Sequence, residues 1–125
     1  MRSFILSVSS DRWLTPIRNT VLAHAGYAVI PSLSATTAME VLLSRYVSAM
    51  VIGQSIPLRE RQRLCSEGRR HGVPAVVLDR DLQPDRDFEV HVDPSDGPEV
   101  FLSALAAVLA RCSRDWDSLR PYPSC

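Results

Sequence analysis

A chain of 125 residues, 46% hydrophobic and 22% charged, suits one compact domain with its own core and excludes global disorder. Its 14 acidic residues balance 14 basic ones, so no bulk pull toward nucleic acid or an anionic membrane surface is implied. All the basic residues are arginine; without lysine, Schiff-base chemistry, a P-loop lysine and a lysine general base are excluded.

Short apolar runs alternate with longer helical patterns. Ser3 to Val8 reads as a strand, followed by Leu14, Ile17, Val21, Leu22 and Ala25 at helical spacing. Ser10 or Asp11 is the expected cap, Pro16 the expected first helical residue, and Gly26 the stop. Tyr27 to Ile30 is a second strand, ended by Pro31. Ala35 to Tyr46 is a second helix, with Met39, Leu42, Leu43 and Tyr46 on one side. Ser48 to Ile52 is a third strand, and Gly53 opens the loop Gln54-Ser55-Ile56-Pro57. An arginine-rich helix spans Leu58 to His71 and stops at Gly72. Val73 to Leu78 and Phe88 to Val92 complete the strands. A last helix runs from Glu99 to Cys112, after which 113–125 is expected to be a loosely attached tail to a domain of 1–112.

Strands that are apolar throughout, joined by helices, mean a parallel sheet covered on both faces. The expected fold class is therefore α/β: a flavodoxin-like, doubly wound sheet of five parallel strands in order 2-1-3-4-5. Cys65, Cys112 and Cys125 are odd in number and have no metal-ligand spacing with His24, His71 or His91, so neither disulfide nor metal site is expected. Phe4-Ile5-Leu6 is too short for a signal core and no run is long enough for a membrane helix, so a cytoplasmic location is expected.

In this fold ligands bind beyond the carboxyl ends of the strands, where Ser9, Ser10 and Asp11, Gly53 to Pro57, Asp79 and Arg80, and Asp93 to Asp96 fall. No GxGxxG, P-loop, GxSxG or catalytic triad pattern accompanies them, and no catalytic residue or cofactor is expected. From Phe4 to about Arg111 the chain resembles a bacterial two-component response-regulator receiver domain. The phrases that carry the resemblance are Ile5 to Asp11, Ala25-Gly26-Tyr27, Ala49 to Pro57 and Val73 to Leu78.

The resemblance implies phosphotransfer from a histidine kinase to an aspartate, with Mg²⁺ on oxygen ligands and a lysine on the phosphoryl oxygens. Residue by residue, this chain lacks that equipment. The acidic pair falls on Ser9 and Ser10, with Asp11 one residue late, and the phosphoacceptor falls on Gly53. The hydroxyl position after strand four falls on Asp79 and the lysine on Asp93, ahead of Pro94. Only Arg80 to Val92 separate those two acids, a spacing shorter than the family's, so the fourth helix is expected to be shortened to a turn at Leu82 to Asp85, or missing. The expectation is a pseudo-receiver.

Each sharper reading has a plainer rival. Asp11, Asp79 and Asp93 would welcome a cation if they converged, but the expectation is solvated loop and capping acids. Arg59, Arg61, Arg63, Arg69 and Arg70 form a possible basic interaction face, more simply an outer helix face in a neutral domain. Ser9-Ser10 at a helix start suits an anion, or a cap alone. The expected function is a receiver-like signalling or regulatory module that works by protein contacts. A small-ligand or metal binder at the strand ends is the alternative, and a phosphoacceptor of a phosphorelay ranks behind both. A protein partner is expected, a homodimer stays open, and neither membrane nor nucleic acid is.

Overall fold

The computed structural model describes residues 3–79 and 89–119, with side chains placed as far as Ala110. Five strands, β1 (Phe4–Val8), β2 (Ala28–Ser32), β3 (Ala49–Ile52), β4 (Ala75–Leu78) and β5 (Glu89–Val92), form one sheet in order β2-β1-β3-β4-β5. Every neighbouring pair is parallel. Four helices accompany them: α1 (Leu14–His24), α2 (Ala35–Ser44), α3 (Leu58–Arg70) and α4 (Pro98–Leu119), the last preceded by a 3-10 turn over Pro94–Asp96. This is the expected doubly wound, flavodoxin-like arrangement.

The central strands are apolar at every position but Ser7, because alternate side chains enter two different cores. Leu6, Val8, Met50, Ile52, Ala75 and Val77 pack with Ala38 and Leu42 of α2 and with Leu64 and Cys65 of α3. Ile5, Ala49, Val51, Val76, Val90 and Val92 pack on the other face with Leu22 of α1 and Phe101, Leu105 and Val108 of α4. Leu22, Leu64 and Leu105 are wholly buried, each worth roughly 1.5–3 kcal/mol relative to an exposed position.

Several boundaries differ from expectation, each for a local reason. Pro31 lies inside β2 opposite Ser7 rather than ending it; β2 is an edge strand, where a missing N–H is tolerated. The helix α1 begins at Leu14 with Pro16 third, because Asp11 rather than Ser10 caps it. The Asp11 Oδ1 accepts from the N–H groups of Trp13 and Leu14 at 2.8 and 2.9 Å. The helix α2 stops at Ser44, where Arg45 turns extended at φ −152°, and Leu43 and Tyr46 are exposed rather than core-facing. The helix α4 continues past Cys112 to Leu119. Gly26 and Gly72 end α1 and α3 with φ of +99° and +71°, a region that side chains with a Cβ avoid. The link from β4 to β5 is residues 79–88; the expected short fourth helix at Leu82 to Asp85 lies outside the described residues.

Candidate functional site

The carboxyl ends of β1, β3, β4 and β5 place Ser9 to Asp11, Gly53, Asp79 and Asp93 along one edge of the sheet. Ser9 is buried beside β2, its N–H donating to the Ser32 carbonyl at 3.0 Å. Its Oγ accepts from the Asp11 N–H and lies 3.3 Å from the Ser55 Oγ. The Ser55 Oγ also accepts from the Ser10 N–H at 3.0 Å. Serine hydroxyls thus tie the loop after β1 to the loop after β3.

The N–H of Gly53 donates to the Val8 carbonyl at 2.8 Å, which extends the β1–β3 ladder by one bond. A Cβ at this position would stand 2.9 Å from the Arg18 Nη1 and 3.1–3.2 Å from the Ser9 Oγ and Cβ. The space a side chain at 53 would use is therefore filled by the guanidinium of α1. Arg18 is set there by helical spacing from the capped start of α1. The adjacent Asn19 fixes the same turn, its Oδ1 accepting from the buried Ser7 hydroxyl at 2.7 Å.

Arg18 carries the site's most unusual electrostatics. Its Nη1 is buried with no hydrogen-bond partner among the described residues. Burial holds its pKa below the ordinary guanidinium value, opposed in part by the charge of Asp11. The carboxyl of Asp11 is held below its ordinary range, first by the Leu14 and Trp13 N–H groups and more weakly by Arg18.

The other acids are spoken for separately. Asp79 accepts through Oδ2 from the Arg61 Nη1 of α3, both side chains mostly buried. Asp93 caps the 3-10 turn, its Oδ1 accepting from the Ser95 N–H and Oγ at 2.9 and 2.7 Å. Among the described residues no group of three or more His, Cys, Asp or Glu side chains is placed to hold a metal ion.

The expected arginine face divides. Arg59 and Arg63 are exposed, but Arg61 turns inward to Asp79, which corrects its place on an outer face. Arg69 meets Glu89 of β5 at 3.7 Å, and Arg70 meets Glu67 at 3.5 Å. Sequence reasoning placed Ser55 at the strand ends within Gly53 to Pro57, but missed Arg18 and the inward turn of Arg61. Arg18 carried one faint signal, since it follows Leu14 by four positions, one turn along the same helix face.

Beside this edge a cleft of about 200 Å³ opens between α1 and the start of α4. Leu14, Ile17 and Val21 form one wall, Pro98 and Phe101 the other, with Arg18, Leu78 and Asp93 also lining it. Trp13 and Ile17 stand 84% and 62% exposed nearby, more apolar surface than a solvated helix needs. No described helix is long and apolar enough to cross a membrane.

No protein-family model matches the chain, and no curated protein sequence matches it. Solved structures do. A putative response regulator from Chloroflexus aurantiacus J-10-fl superposes with a TM-score of 0.73 at 19% identity, over 88% of this chain and 99% of that one. The signal receiver domain of an HD domain-containing protein from Pseudomonas fluorescens Pf-5 gives 0.72 at 18%, over 91% and 99%. A CheY-like receiver domain protein from Methanospirillum hungatei JF-1 gives 0.71 at 12%, over 92% and 99%. At these identities the likeness establishes a shared fold, that of CheY-like receiver domains.

Proposed function

We propose that this chain is a receiver-like signalling module, a pseudo-receiver, that acts by protein contacts and accepts no phosphoryl group at the position after β3. The observation that carries the reading is the pairing of Gly53 with Arg18: the acceptor place has no carboxylate, and a guanidinium stands in the space one would use. An acyl phosphate needs that carboxylate, a divalent cation on oxygen ligands and a further cation on the transferred group. Ser9 and Ser10 stand where the metal-binding acids would, and with Ser55 they form a neutral hydrogen-bonded bridge.

A site bridged in this way needs no phosphorylation to hold its loops. The module is then a surface of constant shape, read by a protein partner in the cytoplasm, and not an enzyme. Nucleic acid is a poor partner for it. Net charge is zero, and three of the five clustered arginines are committed to Asp79, Glu89 and Glu67.

The test is incubation with a small-molecule phosphodonor and Mg²⁺, read by intact mass. No added phosphoryl mass is expected, and a stable acyl-phosphate adduct would overturn the proposal. The cleft between α1 and α4 favours a second reading, a small-ligand binder.

A further inference from the structure

The cleft between α1 and α4 combines two features rarely left together without a ligand. Its walls are hydrocarbon, chiefly Ile17, Leu78, Pro98 and Phe101, and Arg18 is among the residues that line it. That arginine has a buried nitrogen with no acceptor among the described residues. A buried donor without a partner costs free energy that the fold alone does not return. An apolar cleft with an arginine in its lining, one nitrogen of which lacks an acceptor among the described residues, is complementary to an apolar molecule ending in an anion.

The surrounding charges narrow the choice. Asp93 also lines the cleft, and Asp11 acts on Arg18 from the start of α1. Two nearby carboxylates repel a phosphate dianion more than a single carboxylate, and hydrocarbon walls offer phosphate no donors. The Asp93 Oδ1 accepts from the Ser95 N–H and hydroxyl in capping the 3-10 turn. The volume, about 200 Å³, falls below that of pockets for drug-sized ligands. It suits a molecule of about ten non-hydrogen atoms, with a dissociation constant on the order of 0.1–1 mM.

We propose that this cleft binds a small apolar monocarboxylate, an aromatic or branched aliphatic acid. Its carboxylate pairs with the Arg18 guanidinium and its hydrocarbon lies against Ile17, Leu78 and Phe101. Rotation about the last torsions of Arg18 brings Nη1 from its unpartnered position toward the ligand. The site goes beyond the pseudo-receiver reading and does not depend on it, since it rests on α1 and α4 rather than on the place of a phosphoacceptor.

The experiment is a titration of the full chain, followed by amide NMR shifts, with benzoate, benzyl alcohol and inorganic phosphate in turn. Benzoate is expected to move amides of 14–21 and 97–102, and to bind at least tenfold more tightly than either of the others. Arg18→Met is expected to weaken benzoate at least tenfold, its unchanged remote amides reporting an intact fold. Should that variant not fold, Ile17→Asp puts a like charge on an exposed wall position and is expected to weaken benzoate fivefold or more. Equal binding of benzyl alcohol, equal binding of phosphate, shifts confined to other regions, or no benzoate saturation by about 10 mM would each overturn the assignment.

Discussion

Replacing Arg18 by methionine should stabilise the protein, although it removes a charged residue next to an aspartate. Arginine and methionine have similar helix propensities, so α1 itself is little affected. Methionine keeps an unbranched stem to fill the space near Gly53 and Ser9 but has no N–H groups to satisfy. The arginine it replaces leaves one buried nitrogen unpartnered, a feature that costs about 1–3 kcal/mol when fully desolvated. Arg18 is only partly buried, and Asp11 favours its charged form. Both effects reduce the cost, and a net gain of about 1 kcal/mol is expected for Arg18→Met. In a domain of this size that corresponds to roughly 3–5 °C in Tm. Urea unfolding followed by circular dichroism reads it as a higher midpoint at unchanged slope. Arg18→Ala, which also loses the stem, should be less stable than Arg18→Met. A methionine variant less stable than the parent would refute the reasoning, because it would mean that the guanidinium is satisfied in the folded protein. A more stable variant would identify Arg18 as a residue that lowers stability for the sake of a site.

Three other outcomes follow from the same geometry. On the proposed reading, Gly53→Asp supplies an acceptor carboxylate but neither the metal ligands nor the lysine. The new carboxylate should pair with Arg18, cost about 1–3 kcal/mol for its close approach to Ser9, and gain no phosphoryl mass; an adduct on the introduced side chain would show that the carboxylate alone was missing. The Cys65 thiol is pushed up to about 12, first by burial and then by the Glu89 carboxylate, so little thiolate forms at neutral pH. Alkylation mapped by peptide mass should therefore spare Cys65 in the native protein and label it in urea, and rapid native labelling would contradict its burial. The Asp11 carboxyl is depressed below 3.8 by the backbone donors of Leu14 and Trp13, so its contribution to stability is present above that value. It is lost as pH falls through the lower folded-state pKa. Asp11→Asn should flatten the acid limb of the stability profile, and an acid limb identical to the parent's would count against the cap.

Which parts of this molecule were legible in the chain depended on how local their causes are. The apolar runs that became β1, β3 and β4 could be read because burial on two faces demands apolar residues at nearly every position, Ser7 excepted. The glycines at 26 and 72 could be read because a left-handed helix stop is a property of one residue. The reach of α2 could not, since Leu43 and Tyr46 fit the helical pattern but lie outside the core that Ala38 and Leu42 already fill. Pro31 misled for a related reason: whether it breaks a strand depends on whether that strand has a neighbour on both sides.

At the site the division is sharper. That no lysine stands anywhere is a fact of composition, independent of any alignment. The place of Gly53 rests on the resemblance, and the proposed loss of phosphotransfer rests on both. What occupies the place instead was decided only when α1 packed across the ends of β1 and β3, bringing Arg18 against Gly53 across 35 positions of sequence. The packing of α3 beside the end of β4 brought Arg61 to Asp79, and that of α1 beside α4 opened the cleft against Phe101. A missing side chain is a local property of the chain, whereas the partner that fills its space is chosen by long-range contacts, and only the folded structure shows them.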